Sequence, residues 1–95
     1  MNQRTQFEET LRAKLIEWQT QVDEIKSNAN RVPAQYQLEF ERQLDLLFAK
    51  SNLAQEKLAK MQNAGDLEWD ELKVRLDSIW NEIENAIDSA SAKIN

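Results

Sequence analysis

The sequence predicts an all-α protein that folds as an antiparallel three-helix bundle. The chain has 95 residues but only one glycine, Gly65, and one proline, Pro33. Sheet proteins use many glycines and prolines in their tight turns, so this composition favours a few long helices. Apolar residues also recur at alternating steps of three and four, which is the spacing of one face of a helix. We therefore expect a single helical domain over residues 1–95.

The first helix is expected over about residues 5–30. Thr5 and Glu8 fit a capping box, in which a hydroxyl and a carboxylate accept hydrogen bonds from unpaired N–H groups of the first turn. The apolar positions that follow form a seam in steps of four and three: Leu11, Leu15, Trp18, Val22, Ile25 and Ala29. This repeat is typical of a helix that packs against other helices.

The second helix is expected over about residues 33–63. Proline disfavours helical geometry at Val32 before it, whereas Pro33 itself suits the first turn of a new helix. The seam also shifts by one residue, or about 100°, to Phe40, Leu44, Leu47, Ser51, Ala54, Leu58 and Met61. This rotation favours a chain that turns back. The alternative is one kinked helix over 5–63 that joins the third helix in a dimeric bundle.

The third helix is expected over about residues 67–93. Gly65 is predicted to end the second helix with a positive φ, and Asp66 to cap the third. The apolar positions form three rows in steps of seven: Trp69, Leu76, Ile83 and Ala90; Leu72, Ile79 and Ala86; Trp80, Ile87 and Ile94. A stripe of this width can face two partner helices.

Bulky residues fall at matching heights when the three segments are folded up, down and up. The central layer is predicted to hold Trp18, Leu47 with Phe48, and Trp80. One end is predicted to hold Phe7, Met61 and Trp69, with Trp69 partly exposed, and the other to hold Ile25, Tyr36 or Phe40, and Ile87 or Ile94. The tryptophans are therefore interpreted mainly as core residues and not as a ligand cage.

The composition disfavours catalysis and cofactor binding. The chain lacks cysteine and histidine, so thiol chemistry and the usual neutral-pH base are excluded, and we expect no enzymatic activity, metal or cofactor. The net charge of −5 lies within residues 64–95, which argues against nucleic-acid binding and makes membrane binding unfavourable. A cytoplasmic location is expected.

Two surfaces are predicted to bind partners. Apolar residues beside the seams mark a possible interaction face, which comprises Leu38, Leu46, Ala49, Leu53 and Trp69. Carboxylates of the third helix mark a possible acidic face, which comprises Asp70, Glu71, Asp77, Glu84 and Asp88. The preferred hypothesis is a structural or protein-interaction module that self-associates, with a homodimer as one form. The alternatives are an acidic inhibitor that masks a basic target surface and a peripheral lipid-surface binder.

The third segment contains Trp69-Asp70-Glu71-Leu72-Lys73 and then Ile79-Trp80-Asn81-Glu82-Ile83-Glu84-Asn85-Ala86. With Glu39-Phe40-Glu41-Arg42-Gln43-Leu44, these runs resemble a family of small bacterial coiled-coil proteins over roughly residues 7–90. The resemblance implies a helical coiled-coil fold and no activity. The chain departs from the family in Pro33 and in its few glutamate-lysine runs. The tryptophan midway along the first helix is similar to that of spectrin-type three-helix repeats.

Overall fold

The computed structural model describes residues 3–94, which fold into three long helices. Helix α1 spans Gln3–Ser27, α2 spans Gln37–Met61 and α3 spans Asp66–Ile94. Two short 3₁₀ turns, Ala29–Arg31 and Ala34–Tyr36, connect α1 to α2. The predicted all-α class and the break before the second helix are confirmed. A single kinked helix over 5–63 is therefore wrong.

Contacts between the helices show an up-down-up arrangement. Helices α2 and α3 are antiparallel, because Glu39 near the start of α2 pairs with Lys93 at 3.5 Å, whereas Lys50 further along α2 pairs with the earlier Glu82 at 2.8 Å. Helices α1 and α3 run parallel, since Phe7 contacts Trp69 while Trp18 contacts Trp80 further along both helices. The resulting bundle measures 48 × 20 × 15 Å.

The predicted seams form the core of the bundle. The most buried seam residues, each at most 1% exposed, include Leu11 and Trp18 of α1, Phe40 and Leu47 of α2, and Leu76 and Ile83 of α3. Leu15 and Leu44 are only partly buried, but they pack against this core. The heptad pattern therefore identified which side of each helix faces inward.

Two indole rings meet edge to face near the middle of α1 and α3. The Trp18 and Trp80 ring centroids lie 5.3 Å apart with an interplanar angle of 88°, a favourable aromatic geometry. Extending the α2–α3 register from the Lys50–Glu82 pair places Ser51 and Ala54 level with Trp80. These small side chains leave room on α2 for the paired rings.

Phe48 does not join the central layer, so that prediction is wrong. Leu47 is fully buried, whereas Phe48 is 37% exposed and its ring carries the Lys26 ammonium 5.0 Å from its centre. Adjacent residues point about 100° apart on a helix. Only one of this pair can therefore face the core.

The ends of α1 and α2 differ from the predicted boundaries. Thr5 lies inside α1, which has already begun at Gln3, so the proposed capping box at Thr5 is wrong. Helix α2 begins at Gln37 because the residues that follow Pro33 form a 3₁₀ turn first. The Gln37 amide donates hydrogen bonds to the Ala29 carbonyl at 3.1 Å and the Val32 carbonyl at 2.8 Å.

Gly65 has no positive φ, so its predicted role as the terminator of α2 is wrong. The carbonyls of Lys60 and Met61 instead accept hydrogen bonds from Asn63 and Ala64, in bonds three residues long. Such bonds satisfy the last carbonyls without a left-handed residue. The Gly65 carbonyl accepts the Trp69 N–H at 2.8 Å, which places Gly65 at the N-cap of α3 and Asp66 in its first turn, so the predicted cap at Asp66 is wrong.

Candidate interaction surface

Each pair of helices leaves a groove on the outside of the bundle, and each face is named here after its two helices. The α2/α3 face contains the Lys50–Glu82 ion pair. The α1/α3 face contains Lys14 and Glu84, whose charged atoms are 3.8 Å apart. The α1/α2 face contains the contact of Lys26 with the Phe48 ring.

The α2/α3 face carries a row of exposed apolar residues. Leu46 is 42% exposed and lines a groove of about 290 Å³ together with Asn85. Val74 is 70% exposed and Leu67 is 82% exposed. They precede Asn85 by about three and about five helical turns, so both lie in line with Asn85 on the outer side of α3, at the edge of the α2/α3 face. Leu53, one heptad after Leu46, is partly buried against the core.

We refer to these four residues, Leu46, Leu53, Val74 and Leu67, as the aliphatic row. Because α2 and α3 are antiparallel, its α3 residues continue the line of its α2 residues toward the α2–α3 turn. The row is roughly 30 Å long at 1.5 Å per residue. Exposed apolar residues that follow one another in this way are more informative than isolated ones.

Basic residues surround the aliphatic row. Helical spacing places six of them on the α2/α3 face: Arg42, Lys50, Lys57, Lys60, Arg75 and Lys93. Four acidic residues share the face, Glu39, Glu68, Glu71 and Glu82, and Glu56 at its edge pairs with Lys60 at 3.6 Å. The face therefore has a positive balance, although the whole chain has a net charge of −5. The net charge of the whole chain therefore does not reveal the basic residues on this face.

The α1/α3 face has the opposite charge. Four of the five residues predicted as an acidic face lie on this flank of α3: Asp70, Asp77, Glu84 and Asp88. Glu71 lies about 100° away, on the side of α2. Asp66 of α3, in line with Asp77, and Glu17 and Glu24 of α1 add three further carboxylates. The basic residues on this face are Lys14, Lys73 and Arg4, which pairs with Asp66.

Contacts within the chain neutralise part of this acidic face. Lys73 pairs with Asp77 at 2.9 Å. The Glu84 carboxylate lies near Lys14 and accepts a hydrogen bond from Trp80 Nε1 at 3.0 Å. Asp70 and Asp88 are exposed. The surface is thus acidic but less so than the sequence of α3 alone indicates.

The α1/α2 face has a second apolar area that the sequence analysis missed. Ile16 is 70% exposed and lines a groove of about 440 Å³ together with Leu15 and Gln55. Phe48 lies on the same face, where Lys26 covers part of its ring. Ile16 follows a seam residue directly and has no apolar neighbour one heptad away. The sequence therefore gave little indication of this area.

The residues of the predicted interaction face do not form one surface. Leu46, Ala49 and Leu53 share a flank of α2, and Leu38, 61% exposed, lies about 80° round the helix from Leu46. Trp69 is only 5% exposed, so its place on an exposed face is wrong.

The environment of Trp69 explains its burial. Its ring lies 5.8 Å from Phe7 and carries the Arg4 guanidinium 5.2 Å above it. Its Nε1 donates to Glu8 at 3.4 Å. Trp69 lies near the start of α3 but is not exposed, because the first turns of α1 cover its ring.

Val74 and Leu67 were missed in the sequence analysis, although they lie one heptad apart on the side of α3 opposite its apolar stripe. That spacing is the signal that could have identified them. Their relation to Leu46 depends on how α2 and α3 pack, which is a tertiary property.

Other kinds of site find little support in the described part of the chain. Carboxylates there nowhere gather in threes that could hold a metal ion. A membrane-spanning segment is not found among the helices of residues 3–94. Comparisons with known protein families, with curated proteins and with solved structures gave no significant match. The resemblance to coiled-coil proteins therefore stays a prediction.

Proposed function

We propose that this chain is a non-catalytic helical module that binds protein surfaces through its α2/α3 face and self-associates through it. The observation that carries the proposal is the aliphatic row, which lies in the open on a face with a positive balance of charge. Contiguous exposed apolar surface of this kind is typical of interaction sites. The module would serve as a structural or scaffold element.

The size of the face indicates a weak and reversible contact. Burying the exposed parts of Leu46, Val74 and Leu67 would contribute on the order of 1–2 kcal/mol each. A face about 30 Å long on a bundle 20 Å wide offers roughly 600 Å², below the ~800 Å² per partner of a standard stable interface. We therefore expect association that depends on concentration.

A pair of matched substitutions tests the proposal. Val74 and Ile16 are both β-branched and both 70% exposed, but they lie on the α2/α3 and α1/α2 faces respectively. Val74→Glu places a charge in the aliphatic row and is expected to weaken self-association about tenfold or more. Ile16→Glu is expected to leave self-association unchanged. Light scattering over a concentration series measures both.

Two results would count against the proposal. One is a wild-type chain that stays monomeric at millimolar concentration. The other is a loss of self-association in Ile16→Glu with none in Val74→Glu, which would assign the contact to the α1/α2 face. Circular dichroism of both variants confirms that they retain the helical fold.

A second candidate function, binding to an anionic lipid surface, is favoured by the same face. Leucine and valine side chains flanked by lysine and arginine are typical of surfaces that lie on membranes. The measurement is cosedimentation with vesicles that contain phosphatidylserine. Binding that Val74→Glu abolishes and Ile16→Glu preserves would support this candidate, and wild-type chain that stays in the supernatant would exclude it.

A further inference from the structure

Two faces of the same bundle carry opposite charges. The α2/α3 face has six basic and five acidic residues, with Glu56, the partner of Lys60, included. The α1/α3 face has seven acidic and three basic residues, with the Arg4–Asp66 pair included. Helix α3 belongs to both faces. Its sequence indicated most of the acidic face, whereas the basic face appears only when α2 and α3 are combined. A second copy of the chain therefore offers, on its α1/α3 face, a surface complementary to the α2/α3 face.

A two-fold contact between two α2/α3 faces is disfavoured by this charge distribution. Such a contact would bring the basic residues of one copy close to those of the other, and like charges at an interface are repulsive. Lys50, Lys60 and Lys93 are already paired within the chain. The remaining basic residues, Arg42, Lys57 and Arg75, would meet their copies at the contact, where they outnumber the remaining acidic residues.

We infer that self-association is heterologous: the basic α2/α3 face of one copy packs against the acidic α1/α3 face of the next. This inference rests on the function proposed above. The α1/α3 face also has a groove of about 500 Å³, lined by Phe7, Thr10 and Trp80 among others. Apolar side chains of the aliphatic row can enter this groove while the charges around them pair.

A heterologous contact leaves one face of every copy free for a further copy. Assembly then continues with rising concentration unless the rotation between copies closes a ring. A two-fold contact would instead stop at a dimer. In the heterologous arrangement, a variant with one altered face can still bind a variant in which only the other face is altered. In the two-fold arrangement it cannot, because both copies use the same face.

Two triple variants distinguish the arrangements. The first, Glu24→Gln with Asp70→Asn and Asp88→Asn, neutralises exposed acidic residues of the α1/α3 face. The second, Arg42→Gln with Lys57→Gln and Arg75→Gln, neutralises basic residues of the α2/α3 face. Each alone is expected to self-associate about tenfold more weakly than the wild-type chain, because three charge pairs are lost.

An equimolar mixture of the two variants is the decisive sample. Each variant retains the face that the other lacks, so the mixture is expected to form a complex of two copies with wild-type affinity and to stop there. Sedimentation velocity measures the mass. A first variant that associates like the wild-type chain, or a mixture no heavier than the separate variants, would overturn the heterologous arrangement.

Measurements on the wild-type chain distinguish a failure of the proposed self-association from a failure of the heterologous arrangement. If wild-type chain is monomeric throughout the concentration series, the proposed self-association fails and this inference fails with it. If wild-type chain associates but the first triple variant does so equally well, only the heterologous arrangement is wrong. Circular dichroism of each variant controls for loss of fold.

Discussion

Leu47 and Leu38 lie on the same helix but in very different surroundings. Leu47 is 0% exposed, while Leu38 is 61% exposed. The difference follows from direction alone, because nine residues along a helix amount to two and a half turns. Side-chain direction, more than residue type, therefore decides which leucines stabilise this bundle.

Substitution of these two leucines should show the difference directly. Leu47→Ala is expected to lower the free energy of unfolding by about 2–5 kcal/mol, since it removes buried surface and leaves a cavity. Leu38→Ala, the matched control, is expected to change it by no more than about 0.5 kcal/mol. Urea unfolding followed by circular dichroism measures both. Equal effects would contradict the assigned core.

At the scale of elements, the helices were easier to predict than their junctions. The seams of α1, α2 and α3 are sequence periodicities, so they could be read without knowledge of the fold. The ends depend on which backbone groups find partners, and several chain conformations can satisfy them. Gly65 shows this, because a glycine between two helices fits both the end of one and the start of the next.

A substitution at Gly65 tests its assignment as the N-cap of α3. A Cβ added there would meet no atom within 4 Å, and φ is not positive. Gly65→Ser is expected to stabilise the fold by about 0.5–1 kcal/mol, by capping α3 and by restricting the unfolded chain.

Gly65→Ala is the control for this substitution. It restricts the unfolded chain but cannot cap, so its effect on the free energy of unfolding is expected to be close to zero. Thermal unfolding of the variants and the wild-type chain provides the comparison. A loss of about 1 kcal/mol in both variants would indicate a left-handed glycine and contradict the assignment.

The α1–α2 connection depends on the Gln37 side chain. Gln37→Ala would remove the donor of the Val32 carbonyl and one of the two donors of the Ala29 carbonyl, which keeps the Val32 N–H, at an expected cost of about 1–2 kcal/mol. Limited proteolysis should then cleave near Asn30 faster than in the wild-type chain. Gln35 is exposed, so Gln35→Ala is the control and should leave the cleavage rate unchanged. Equal rates in all three chains would contradict this role.

At the scale of the whole molecule, the sequence predicted the fold class and the core but only part of the candidate surface. Leu46 and Leu53 were identified because they lie one heptad apart on one helix. The approach of Val74 and Leu67 to the same face depends on packing between helices, which no single-helix pattern contains. The positive balance of the α2/α3 face was hidden for the same reason, since its charges come from both α2 and α3.

The surface assignment is tested most directly by amide NMR spectra of the chain at rising concentration. Self-association through the α2/α3 face predicts shift changes around Leu46, Leu53 and Val74, together with changes on the acidic α1/α3 face. The amides around Ile16 and Phe48 should not change. Shift changes centred on Ile16 and Phe48, or spectra that do not vary with concentration, would contradict the account.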